Sequence, residues 1–136
     1  NGGRLKYATN ASGSWVTETI DSGRYGEGDV DSYIFVADYC SSLALDSSGK
    51  AHISYYDIIN KDLKCATNAS GSWVTGILDR DDDYYDGYDG EVGLYPSIAL
   101  DTSGKVHISY VDESGDGQYS ALKYITNATQ PTTDTN

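Results

Sequence analysis

The sequence predicts an all-β protein built from tandem four-stranded antiparallel meanders. Two motifs recur along the chain, each motif alternates with a period of two, and the composition is rich in Tyr, Thr, Ser, Gly and Asp, with 13 Tyr, 15 Gly and no Met. The first motif, Leu5 to Thr17, returns as Leu63 to Thr75 at an offset of 58 residues and starts again over Leu122 to Thr129. The second, Leu43 to Tyr55, returns as Ile98 to Tyr110 at an offset of 55 residues. Self-similarity at a fixed period marks a repeat architecture whose units bury their faces against one another. β-branched and aromatic residues suit strands, and long helix-forming runs are absent.

Each motif reads as a hairpin. Residues 42–46 form a first strand, Ser47-Ser48-Gly49 a turn, and residues 50–56 the return strand. Gly49 supplies the positive φ that a tight turn requires. His52, Ser54 and Tyr56 alternate with Ala51, Ile53 and Tyr55, the period expected of a strand. Residues 62–67, the turn Asn68-Ala69-Ser70-Gly71 and residues 72–78 make the second hairpin. With the strands labelled a to d, the chain reads c-d, then a-b-c-d, then a-b-c, nine strands in all. The repeat region spans 1–129, with a partial unit at 1–20, a full unit at 42–78 and a partial unit at 97–126; a polar tail occupies 130–136. The chain begins Asn1-Gly2-Gly3 without Met, which reads as a processed chain or an excised fragment.

The stretch from Ser97 to Ser109 resembles the apolar-Asp-x-x-Gly-x-apolar hairpin of NHL-type and related β-propeller blades, and is similar to repeats of bacterial surface proteins. The resemblance implies propeller-like blades, one complete and two partial. It departs from the sialidase Asp-box, which has Asp-x-Gly where this chain has Asp-x-x-Gly, and Arg4, Arg24 and Arg80 are the only arginines. A closed propeller needs about four or more blades. One whole and two partial units therefore point to a piece of a longer propeller, a ring of several chains, or a filament completed through open strand edges.

Net charge is −12 with a pI near 4.2, which argues against nucleic acid and anionic membrane surfaces. No apolar run approaches the roughly 20 residues of a spanning helix, so no membrane insertion is expected. Cys40 aligns with Tyr95, and Cys65 aligns with Tyr7 and Tyr124. Two substitutions within one repeat predict a Cys40–Cys65 disulfide, and a disulfide implies an oxidising, extracellular or cell-surface setting. Two buried free thiols are the alternative.

The acidic loop of residues 79–91 offers Asp79, Asp81, Asp83, Asp86, Asp89 and Glu91 as hard oxygen ligands for calcium, the one cofactor the sequence suggests. The Asp-x-Asp-x-Asp-Gly spacing is absent, and a solvated acidic loop explains the same residues. Tyr84, Tyr85 and Tyr88 in that loop are candidates for stacking on sugars. The sequons at Asn10, Asn68 and Asn127 fall at one hairpin tip, where a glycan is accommodated; Asn and Ser also favour such turns for local hydrogen bonding.

His52 and His107 share one strand position and read as packed residues rather than bases, since no nucleophile recurs at a useful spacing. Asp46 and Asp101 are expected to cap their turns, and Trp15 and Trp73 to pack between units. No catalytic residue emerges. The expected function is a non-enzymatic extracellular subunit of a filament or fibre, self-associating through strand edges. The alternative is a carbohydrate-binding, lectin-like propeller with glycan partners.

Overall fold

The computed structural model describes residues 4–22, 41–80, 90–113 and 120–127. These hold nine β-strands and no helix long and apolar enough to cross a membrane. Unit I is the hairpin β1 (Leu5–Thr9) and β2 (Val16–Asp21). Unit II is β3 (Ser41–Leu45), β4 (Ala51–Asp57), β5 (Asp62–Thr67) and β6 (Val74–Asp79). Unit III is β7 (Val92–Leu100), β8 (Val106–Asp112) and β9 (Ala121–Thr126). All pairings are antiparallel, and the three sheets follow chain order: β1-β2, β3-β4-β5-β6, and β7-β8-β9. The all-β class and the nine strands expected from the sequence are present.

Local chemistry sets the hairpins. In unit II, Asp46 Oδ1 accepts from the amides of Ser48 and Lys50 and from the Ser48 hydroxyl, at 2.7–2.9 Å. Asp101 does the same with Ser103 and Lys105. Gly49 and Gly104 follow at φ +78° and +79°, where a Cβ would be strained. The aspartates are therefore the turn caps that the sequence suggested. The sequon asparagines close the other ends: Asn68 Oδ1 accepts from Ala51 N at 2.8 Å and Asn127 Oδ1 from Val106 N at 2.9 Å.

The units pack face to face in chain order. β4 is covered on both sides, and only His52 within it is less than buried. Its odd-numbered residues Ile53 and Tyr55 join Ala66 against Leu5, Tyr7 and Ile20 of unit I. The opposite face of unit II meets unit III, where Leu63 packs with Val92, Ile98, Ile108 and Tyr110. The main chains also meet there: Val92 N donates to Lys61 O at 3.0 Å, and Ile98 N to Ser42 Oγ at 3.1 Å.

The Cys40–Cys65 disulfide expected from the sequence is corrected here. Cys65 is a free thiol on β5. Cys40 lies outside the described residues. In unit III both aligned positions are described, and β8 separates them: Tyr95 is on β7 and Tyr124 on β9. Residues two strands apart sit about 9–10 Å from one another, beyond the roughly 7 Å that a disulfide can bridge.

Gly93 marks the closest approach of units II and III. Its φ is +99°, and a Cβ there would lie 2.6 Å from Leu63 Cα. Gly93→Ala should therefore lose about 2–3 kcal/mol of stability, from overpacking and backbone strain together. Urea denaturation of the full chain measures it, and a loss below about 0.5 kcal/mol would mean that the backbones can separate freely.

Candidate functional site

Two interfaces share aligned residues, and among the described residues they differ beside Cys65. What they share is a clasp. The Tyr55 hydroxyl of unit II donates to Asp21 Oδ2 of unit I at 2.7 Å, and Lys64 Nζ reaches the same oxygen at 2.5 Å. Lys64 also pairs with Asp57 at 3.3 Å. One interface along, the Tyr110 hydroxyl donates to Asp79 Oδ2 at 2.5 Å, with Lys123 Nζ at 3.3 Å from Asp79 and 2.6 Å from Asp112. Burial and the Asp21 carboxylate push the Tyr55 hydroxyl far above its usual pKa, and Tyr110 follows through burial and Asp79. Burial alone would lower the pKa of Lys64, but Asp21 and Asp57 outweigh it, so the net shift is upward. Both phenols stay protonated and both lysines charged at any ordinary pH.

The clasp also engages Asp79. The sequence placed it in a candidate calcium loop, and its carboxylate is engaged by Tyr110 and Lys123. Glu91, at the other end of that loop, accepts from the Glu113 amide through its carbonyl at 2.8 Å. Asp81, Asp83, Asp86 and Asp89, with Tyr84, Tyr85 and Tyr88, lie outside the described residues. Among the described residues no group of three or more His, Cys, Asp or Glu side chains is placed to hold a metal.

The difference lies beside Cys65. Between units I and II, the ring of Tyr7 meets Trp73 edge-on at 5.1 Å, and Trp73 Nε1 donates to Glu18 at 2.6 Å. Those rings fill the interface, and Trp73 packs between units as the sequence suggested. Between units II and III, Cys65 stands where Tyr7 stands, and Thr132 aligns with Trp73. A cavity of about 540 Å³ occupies this interface. His52, Cys65 and Thr67 line it from unit II, and Ile108, Ile125 and Asn127 from unit III. Burial alone pushes the Cys65 thiol up, which keeps it protonated and unreactive near neutrality.

The same substitution changes the histidine. In unit III, His107 Nδ1 is hydrogen-bonded to the Tyr124 hydroxyl at 2.5 Å, and the two rings stack 5.9 Å apart. In unit II the aligned Cys65 has no group that can reach His52 in this way. His52 leans on Asp46 at 3.5 Å and turns toward the cavity. Ser54, the register partner of Cys65 on the same face, is fully buried, and its hydroxyl has no hydrogen-bond partner among the described residues. The cleft thus combines apolar walls with a few polar groups, the usual make-up of a small-molecule site.

Among the described residues the histidines are hydrogen-bonded to their turn aspartates and, for His107, to Tyr124. The sequence signal that could have found the clasp was present, since Asp21 and Asp79, Tyr55 and Tyr110, and Lys64 and Lys123 all recur at the repeat spacing.

No family model matches the sequence, and no curated protein matches it. Among solved structures the chain is similar to a fucose lectin from Kordia zhangzhouensis in complex with methyl-fucoside, at 19% identity and a TM-score of 0.43, covering 93% of this chain and 89% of the lectin. A likeness of that depth decides neither fold nor ligand.

Two measurements follow from the geometry. Tyr110→Phe removes the hydroxyl from the clasp and should cost about 1–2 kcal/mol, read from the denaturation midpoint; an unchanged midpoint would mean that the clasp adds nothing to docking. The second concerns pH. The Ser48 hydroxyl, the Lys50 and Ser48 amides and His52 hold the Asp46 carboxyl at about 2, below its usual 3.8. A depressed carboxyl stabilises the fold above its unfolded value and loses that contribution as pH falls through the folded one. The stability gap between the natural protein and Asp46→Ala should be full above pH 3.8 and shrink toward pH 2. Acid titration of both proteins checks this, and a gap independent of pH would contradict it.

Proposed function

We propose that this chain is a non-catalytic carbohydrate-binding module whose ligand sits in the cleft between units II and III. The observation that carries the reading is the replacement of Tyr7 by Cys65 at the equivalent position, which leaves a cavity where the neighbouring interface is filled by rings. The chemistry of the lining narrows the ligand. A net charge of −12 disfavours anions. No carboxylate is among the described residues lining the cavity, so an organic cation has no counter-ion. A purely apolar ligand would leave the free edge of His52, the Thr67 hydroxyl and the Asn127 Nδ2, which line the cavity, facing carbon. A neutral molecule with both C–H faces and hydroxyls satisfies walls and polar groups together, and a saccharide is that molecule.

An extracellular setting accords with the acidic, Tyr- and Thr-rich composition, though the free Cys65 removes the disulfide as support for it.

Isothermal titration calorimetry against a panel of neutral hexoses and deoxyhexoses tests the reading. The natural protein should bind at least one of them. Cys65→Tyr should abolish that binding while leaving the fold intact, since Tyr7 already occupies the aligned position in unit I. No binding across the panel, or binding untouched by Cys65→Tyr, would sink the proposal.

A further inference from the structure

One leucine position recurs in all three units, and its environment differs. Leu5 is 4% exposed beneath unit II, Leu63 is 0% exposed beneath unit III, and Leu122 is 81% exposed. Tyr124, aligned with Tyr7, is 61% exposed beside it. In units I and II this face is covered by the next unit in the chain. The face of β9 therefore presents the part of the receiving surface that β1 and β5 supply in an interface that occurs twice within the molecule; β2 supplies the rest, Glu18, Ile20 and Asp21, in unit I.

The donating half lies at the other end. Trp73 of unit II reaches back to Tyr7 of unit I. Its counterpart Trp15 is 72% exposed. Register places the two tryptophans alike: Thr9 pairs with Val16 as Thr67 pairs with Val74, and each tryptophan immediately precedes that valine. Ala66 and Lys64 face unit I from β5, and their counterparts Ala8 and Lys6 on β1 are exposed. Unit I thus carries outward the counterparts of Trp73, Ala66 and Lys64, while Ile53 and Tyr55, which unit II also brings to its neighbour, stand on β4 and have no counterpart in the described β1-β2 sheet.

We infer that the Leu122–Tyr124 face of unit III receives unit I of a second copy of this chain, with Trp15 of that copy seated on Tyr124 as Trp73 is seated on Tyr7. The two patches are different surfaces of one molecule, so the contact is head-to-tail. Such contacts grow into a ring if the rotation closes and into a fibre if it does not. The contact runs through sheet faces, continuing the interface inside the chain, and does not require the strand edges to pair. It is independent of the sugar cleft, which lies between units II and III of one chain.

The test is sedimentation velocity of the full chain over a wide concentration range, with two variants. The natural protein should grow from monomer to larger species as concentration rises. Leu122→Lys and Trp15→Ala each damage one half of the contact and should each remain monomeric. Both sites are exposed, so far-UV circular dichroism and thermal melts should match the natural protein. Mixed together, the two variants retain one intact pair of faces and should form dimers that grow no further. A natural protein that stays monomeric throughout, growth that survives both substitutions, or a mixture that stays monomeric would each overturn the inference.

Discussion

The structure depends on the burial of one unit's face by the next. A two- to four-stranded antiparallel sheet cannot cover its own apolar side chains, and here each sheet covers its predecessor. Leu63 shows the force involved: its side chain is removed from water by Val92, Ile98, Ile108 and Tyr110 of unit III, a burial worth about 2–3 kcal/mol for one residue of this size. The Tyr–Asp–Lys clasp fixes the register of that contact. A phenol and an ammonium converge on one carboxylate, and a second carboxylate on the same unit completes the ammonium. Polar groups satisfied in this way tolerate burial, whereas a slipped interface would leave the carboxylate and the hydroxyl unpaired.

Against that repeated frame, single substitutions acquire meaning. Leu63 repeats Leu5, Tyr110 repeats Tyr55, and Asp79 repeats Asp21, so units II and III dock as units I and II do. Cys65 departs from Tyr7, and the volume of a phenol is vacated without loss of the docking contacts around it. His52 and His107 show the consequence for the polar groups. One imidazole is held by Tyr124, and the other is turned toward the vacated space. A repeat protein can open a cleft by this route without giving up docking, because Leu63, Tyr110, Asp79 and Lys123 hold the units together away from the opening, while Ile98, Ile108 and Ile125 serve both the docking core and the cavity wall.

The sequence made the strands, their order and the turn caps legible because each is a local property. Asp46 and Asp101 announce their turns by their distance from Gly49 and Gly104, and alternation announces β4 and β8. What pairs across a sheet is also local once hairpins follow one another. What meets between sheets is not. The alignment of Cys40 and Cys65 with tyrosines suggested a contact within one unit, yet β8 lies between the strands of the aligned Tyr95 and Tyr124, and Cys65 looks instead toward unit III. The clasp was missed for the same reason: Asp21 and Tyr55 are 34 residues apart, and nothing in the alternation of either strand says which unit lies opposite. Asp79 reads as part of an acidic run in sequence and acts as the acceptor of a clasp in space. Asn10, Asn68 and Asn127 recur together as sequons, and Asn68 and Asn127 use their side-chain carbonyls to close hairpins. That use gives Asn68 and Asn127 a structural role without a glycan, while leaving each Nδ2, the atom a glycan would occupy, uncommitted to the bond.

The placement of the clasp along the strands bears on how the cleft could work. β5 runs from Asp62 to Thr67. Leu63, Gly93 and the Asp79 carboxylate gather at its start, where the main chains of units II and III are in closest approach. Cys65, Thr67 and Asn127 line the cavity further along. The two walls are therefore joined firmly at one end, and the opening lies toward the other. Walls fixed in this way hold their spacing without a ligand, so binding need not pay to bring the units together. A cleft formed by two loosely tethered units would have to order that interface first, and a small neutral ligand offers too few contacts to drive the change. Docking inside the chain and the shape of the cleft thus rest on the same contact, and the proposed recognition requires the first to be complete.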